Sequence, residues 1–271
     1  MKRQLFILVM VSIIWCGCKT TVLASSNQPV EEFVEKIFLH GVMFDNAREL
    51  KSVANINILK AKLDTDCTRP QIAQESPFCS NIVVTLGIIG GDVTDAVKAM
   101  KRYIEKQQDT FSLPQFRAKT SGVIALGYAI NKNPNTIARD IALDVLKTRL
   151  CKKDCEDVIG NQESVETASP PSKDELKDKL RRSSVIGLAL SGSEEGREAL
   201  EQVLEKSETK NDPPFQALVI EALNTLNTII TLDKAGKNGL SCYYNYDSPA
   251  CQQDVLDQSN KKPYATFPTQ G

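Results

Sequence analysis

Ser121-Gly122-Val123-Ile124-Ala125-Leu126-Gly127 is one of three copies of a single pattern, and its reading decides the fold. An earlier stretch, Ile82-Val83-Val84-Thr85-Leu86-Gly87, and a later one, Ser183-Ser184-Val185-Ile186-Gly187-Leu188-Ala189, align with it. Val83, Val123 and Val185 fall in register, then Val84, Ile124 and Ile186, then Leu86, Leu126 and Leu188, each followed by Gly87, Gly127 or Ala189. The first copy alone is β-branched enough to pass for a buried strand. Its continuation argues for helix.

Each copy runs into a turn-rich break: Gly90-Gly91-Asp92, Asn131-Lys132-Asn133-Pro134-Asn135 and Ser191-Gly192-Ser193. A second segment then places apolar residues three and four apart: Val97, Met100 and Ile104; Ile137, Ile141 and Val145; Leu200, Val203 and Leu204. That spacing puts one apolar stripe on an amphipathic helix. Asp92 and Asn135 stand where N-caps are expected, since their short side chains accept from free amides of a first turn. The repeating unit is therefore helix, short turn, helix, and the expected class is all-α.

The aligned leucines are 40 residues apart in the first interval and 62 in the second. Residues 151–172 lengthen the second interval; this stretch is polar, ends in Pro170-Pro171 and nearly lacks large apolar side chains, so it reads as a flexible insertion between hairpins. A weaker fourth copy begins near Pro213, with helical spacing around Leu223. There Glu221 and Asn224 depart from the pattern, as a terminal repeat that caps a stack would. The small residue after each aligned Leu is expected to let the partner helix of the same hairpin lie close.

These residues resemble the HEAT-repeat family, α-solenoids of antiparallel helix pairs with a period near 40. The resemblance covers residues 80–231, with 25–79 as a degenerate first pair and the Cys67/Cys79 loop, and it implies about four to five stacked hairpins. The Asp and Arg that many members carry at the start of the second helix are only partly matched, by Asp92 and Arg197. Residues 232–271 differ in kind: four of six Tyr, including Tyr243, Tyr244 and Tyr246, lie there with Cys242 and Cys251. This segment is expected to cover the last apolar helix or to meet a partner, because Tyr supplies contact area at little rotamer entropy.

The N-terminus carries a targeting signature. Lys2 and Arg3 precede an apolar run from Leu5 to Trp15, about 11 residues, the length of a signal-peptide core, whereas a membrane span needs roughly 20. Val22-Leu23-Ala24 supplies a cleavage site that would make residues 1–24 a signal peptide. Gly17-Cys18 resembles the end of a bacterial lipoprotein box and offers Cys18 for lipidation, although Trp15 stands where an aliphatic residue is usual. Both readings place the chain outside the cytoplasm, in the periplasm or the extracellular space, with a lipid anchor in the second.

Cysteine usage fits that compartment. Beyond residue 24 there are six, Cys67, Cys79, Cys151, Cys155, Cys242 and Cys251, an even number in an exported chain. Six cysteines allow 15 connectivities. The local choice joins Cys67 to Cys79, Cys151 to Cys155 and Cys242 to Cys251, each pair flanking a short polar segment. Intervals of 11, 3 and 8 residues, with His40 as the one histidine, do not match zinc spacing. Asp64, Asp66 and Glu75 mimic three positions of a calcium loop, but Arg69 occupies the place of its turn glycine.

Composition bounds the function. Among 271 residues, 33 basic side chains balance 34 acidic ones, so net charge attracts no nucleic acid. No nucleophile elbow, zinc-protease, phosphate-loop or dinucleotide motif occurs, and no cofactor is expected. His40 reads as a residue near a helix C-terminus. A thiol enzyme using Cys151 or Cys155 with His40 is the alternative to a non-catalytic scaffold that binds a protein or peptide. Lys98, Lys101, Arg102 and Lys106 share one helix face and form, with the tyrosines, the candidate partner surface. A second basic group, Lys147, Arg149, Lys152 and Lys153, follows on the next helix.

Overall fold

A computed structural model describes residues 29–36, 44–68, 77–106, 113–131, 133–150, 172–244 and 251. The described residues are 82% helical and contain no strand. Twelve helical segments follow in chain order: α1 (Val30–Val34), α2 (Phe44–Glu49), α3 (Val53–Thr65), α4 (Phe78–Gly90), α5 (Thr94–Glu105), α6 (Leu113–Ile130), α7 (Thr136–Thr148), α8 (Lys173–Leu190), α9 (Glu194–Glu205), α10 (Ser207–Lys210), α11 (Pro213–Lys234) and α12 (Gly239–Tyr244). The β-branched first copy is thus the helix α4, as its later counterparts indicate.

Successive helices pair as α4 with α5, α6 with α7 and α8 with α9. The first members lie side by side, α4 on α6, α6 on α8 and α8 on α11, while α5 packs between α3 and α7. Leu86, Leu126 and Leu188 are wholly buried in one continuous core with Val97, Met100, Ile104, Val145, Leu146, Leu200 and Val203. Burial repeats along the three helices as well: Val84 and Ile88, Ile124 and Tyr128, and Ile186 are half-buried, whereas the residues between them are buried.

Glycine sets how closely these helices approach, but through a different neighbour from the one expected. A Cβ on Gly127 would stand 2.2 Å from the carbonyl oxygen of Gly187 on α8, and one on Gly87 would stand 2.6 Å from the carbonyl oxygen of Ala125 on α6. A Cβ on Gly91 would meet the Cα of Ala129 at 2.6 Å. The small residue therefore admits the equivalent helix of the next pair, not its own hairpin partner. The aligned Leu points toward the second helix, and the position after it, about 100° further round, points sideways along the layer. Both seams use the same register, because Ala125 and Gly187 are themselves aligned positions.

The turns are joined by asparagine. Asn133 Nδ2 donates to the carbonyls of Gly91 and Ala129, each at 2.6 Å, and Asn135 Nδ2 donates to Asp92 O and Thr94 Oγ1, both at 2.9 Å. Asn131 reaches the other way, to Ser191 O at 3.3 Å. Asn135 also accepts from Ala138 N, which makes it the N-cap of α7, as expected. Asp92 does not cap α5. Val93 occupies that position without a side-chain bond, and Asp92 instead takes an ion pair from Lys51 at 2.7 Å.

Two further expectations are corrected. Ile137 is 61% exposed, whereas Val145 is buried as expected, Ile141 is half-buried against the core, and Ala138, Ala142, Leu143 and Leu146 complete the buried face of α7. Ala138 and Ala142 are too small to mark this face in a pattern of large apolar residues. Arg149, placed with a surface cluster, is 2% exposed and lies 3.8 Å from Glu105. Glu221 and Asn224 are exposed on α11, which α12 follows and packs against. α11 is long and apolar enough to pass for a membrane span, yet Phe215, Val219, Ala222, Leu226 and Ile229 are buried against the neighbouring helices.

Candidate functional site

Two of the expected disulfides are present, Cys67–Cys79 and Cys242–Cys251, with Cα separations of 5.6 and 5.3 Å. The first ties the end of α3 to the start of α4. The second holds residue 251 against Leu232 of α11. His40, Cys18, Cys151, Cys155, Tyr246, the signal segment and residues 151–171 of the insertion lie outside the described residues, so the pairing of Cys151 with Cys155 and a thiol–histidine pair do too, whereas Ser172 is the N-cap of α8. Among the described residues no three His, Cys, Asp or Glu side chains cluster to hold a metal ion.

The candidate basic strip is interlaced with carboxylates. On α5, Lys98 and Lys106 are exposed, but Lys101 pairs with Asp144 of α7 at 3.2 Å and with Glu105 at 3.7 Å, and Arg102 pairs with Asp64 of α3 at 3.5 Å. Arg139 of α7 continues the series to Glu195 of α9 at 3.3 Å, and Lys234 of α11 to Glu194 at 3.5 Å. From α3 through α5 and α7 to α9 these ion pairs link consecutive second helices, and the last joins α9 to α11. Exposed pairs contribute only a few tenths of a kcal/mol each, so they set register more than stability.

Two cations that the linear pattern did not single out are buried. Lys119 on α6 is 3% exposed and donates to Lys106 O; burial, with Arg149 and Lys106 nearby, lowers its ammonium to about 8. Arg181 on α8 donates to Leu150 O, lies 3.9 Å from Asp212 and stacks its guanidinium 3.4 Å from the Phe215 ring centre. Planar stacking is the arrangement that lets Arg, unlike Lys, shed water against an aromatic face. Lys119 ties α6 to the end of α5, and Arg181 ties α8 to the end of α7 and the start of α11, away from the asparagine turns.

The tyrosines gather elsewhere, on the half-buried face. Leu190, Ile229, Leu240 and Tyr243 form a separate apolar cluster against which Phe44, Ile124, Tyr128 and Ile186 pack. Tyr128 and Tyr244 hydroxyls are 2.6 Å apart, and Phe44 stacks on Tyr244 with ring centres 5.9 Å apart. Burial pushes the Tyr128 hydroxyl up to about 12. Tyr243 is 7% exposed and shares a hydrogen bond with Thr225, whereas Tyr244 keeps 42% of its surface. Ser241 donates to Asp45 at 2.8 Å, joining α12 to α2 across 196 residues.

A cavity of about 390 Å³ lies at the turn end, between Asn133, Arg139, Ser193, Glu195, Asp233 and Lys234. It is open and mixed in charge, with Arg139 paired to Glu195 and Lys234 to Glu194. Neither a family model nor a curated protein nor a solved structure matches the chain. The fold established for it is thus all-helical, and its function has to be argued from its own residues.

Proposed function

We propose that the chain is an exported, non-catalytic scaffold of stacked HEAT-like hairpins that holds a protein or peptide partner. One observation carries this reading: Val84, Ile124 and Ile186, with Ile88 and Tyr128 one turn on, make an apolar row across three equivalent helices that the hairpins' own second helices do not cover. A row presented at regular intervals by rigid helices suits an extended or helical segment, which is how stacked repeats bind. Fold alone does not name the partner.

The interlaced charges of α5 and α7 favour this apolar face over the basic strip as the surface that binds. Paired cations offer little net potential to an acidic partner, while half-buried aliphatic and aromatic groups supply contact area. The thiol-enzyme alternative is less favoured, since both disulfides among the described residues follow the local pairing. A photoreactive benzoyl-phenylalanine at Ile88, compared with one at the exposed Ile137 of α7, tests the reading in envelope extract. The same adduct at Ile88 and none at Ile137 supports it, and equal labelling contradicts it. Palmitate-analogue labelling against Cys18→Ala tests the anchored form of the scaffold.

A further inference from the structure

Where α12 packs onto α6, two phenols meet at their reactive ends. The hydroxyls of Tyr128 and Tyr244 are 2.6 Å apart, with ring centres at 6.3 Å and planes inclined by 55°. By ring centre Tyr243 is nearer to Tyr244, at 5.4 Å, but it meets that ring edge-on at 74°, and its own hydroxyl bonds to Thr225. Phe44 stacks on Tyr244 and supplies no hydroxyl. Tyr244 keeps 42% of its surface open to solvent, whereas Tyr103 is 4% and Tyr243 7% exposed. Among the described residues, then, one well-exposed phenol is in hydroxyl contact with a second from a different helix.

We propose that Tyr128 and Tyr244 are an oxidative modification site, at which hydrogen peroxide and a haem peroxidase join the two rings into dityrosine and so tie α12 to α6. The chemistry of the phenoxyl radical favours this pair. Its unpaired spin resides on the oxygen and on the ring carbons beside it, so coupling requires hydroxyl ends, rather than ring centres, to be close. The exposed Tyr244 loses its hydroxyl hydrogen to the oxidant, and the radical exchanges with Tyr128 through the hydroxyl contact. Burial pushes the Tyr128 hydroxyl up to about 12, so at neutral pH a whole hydrogen atom crosses that contact and no phenolate is required. A second oxidation of Tyr244 leaves one radical on each ring. A bond forms between a Cε carbon of each, the hydrogens on the joined carbons move to the oxygens, and both rings are phenols again. The two hydrogens removed reduce one hydrogen peroxide to two waters. Groups already held in contact react far faster than the same groups on separate chains. The link joins residues 116 apart and lies beside the Cys242–Cys251 bridge, so α12 gains a second covalent tie. Disulfides persist in oxidising surroundings, where such an oxidant is met. The inference stands apart from the scaffold reading above.

The test treats the full chain, at low concentration, with hydrogen peroxide and a haem peroxidase, isolates the monomer and maps its tryptic peptides by mass spectrometry after reduction of the disulfides. The expected product is the peptide containing Tyr128 joined to the one containing Tyr244, two hydrogens lighter than their sum and carrying the blue fluorescence of dityrosine. Fragment spectra should place the link at Tyr244, at least about tenfold more abundant than any link to Tyr103 or Tyr243. Tyr128→Phe and Tyr244→Phe should each remove it, and Tyr243→Phe should leave it. Phenylalanine keeps the ring and its packing, and far-UV circular dichroism confirms that the variants are folded alike. A ruthenium tris-bipyridyl photo-oxidant with persulfate repeats the reaction without an enzyme that has to approach Tyr244. No Tyr128–Tyr244 peptide under either oxidant, a monomer in which Tyr244 joins Tyr246 or Tyr264 instead, or a Tyr128 link that survives Tyr244→Phe overturns the site.

Discussion

Replacing Gly127 by Ala sets two known effects against each other inside one helix. Gly in a helix interior costs about 1 kcal/mol relative to Ala, so propensity alone predicts a gain. The new Cβ, however, would lie 2.2 Å from Gly187 O, 2.9 Å from its carbonyl carbon and 3.1 Å from its Cα. Carbon and oxygen settle at about 3.3 Å, so α6 and α8 must part by about 1 Å, and there is no flexible side chain to yield. A gap of that size forfeits roughly a quarter to a half of the dispersion energy of each contact along the seam. The net result is a loss of about 1–3 kcal/mol, the range for overpacking, and a fall in Tm of roughly 2–4 °C per kcal/mol. Gly122 of the same helix is the control: its Cβ would meet only the side-chain ends of Val83 and Ile104, at 3.1 and 3.2 Å, so Gly122→Ala should be close to neutral. Urea unfolding followed by far-UV circular dichroism measures both. A Gly127→Ala protein as stable as Gly122→Ala would refute the reasoning.

Asn133→Ala removes two bonds to backbone carbonyls of separate helices and should lower the urea midpoint by the equivalent of about 1–3 kcal/mol with an unchanged m value. A double-mutant cycle of Tyr128→Phe and Tyr244→Phe should show a coupling of about 1 kcal/mol; additive single effects would mean that the hydroxyl pair does not hold α12. Lys119 makes stability depend on alkaline pH. Burial lowers its folded value to about 8 from 10.5, so between those limits the unfolded chain binds more protons and stability rises with pH, by at most about 1.4 kcal/mol per unit. Tyr128 works in the opposite sense above its ordinary value of 10, where the unfolded chain ionises first and stability falls as pH climbs toward about 12. Unfolding midpoints across pH 8 to 10 should therefore rise in the wild type relative to Lys119→Met, and parallel curves would remove the buried ammonium from the account.

The helical class, the position of the breaks and two disulfide pairs were legible because each is local. A stripe three and four residues apart, a Gly or Asn run and a short Cys interval depend on neighbours in the chain. The aligned Leu and Gly were legible too, but the direction in which Gly127 points was not, since it depends on which neighbouring helix lies beside α6. Ile137 was misplaced for a related reason: with Ala138 and Ala142 filling the buried stripe, the largest side chains of α7 no longer mark its inner face. The contact of α12 with α2 was hidden altogether, because Asp45 and Ser241 carry no pattern that links them across the intervening sequence. Arg149 and Lys119 look like ordinary surface cations until α5, α6 and α7 are packed together.

Equivalent helix pairs meet through one repeated small-residue register, and nuclear Overhauser contacts in the folded protein test that most directly. Contacts from the α-protons of Gly87 to the Ala125 methyl, of Gly91 to the Ala129 methyl, and of Gly127 to those of Gly187 are the predicted result. Their absence, with Gly127 instead close to residues of α7, would contradict it.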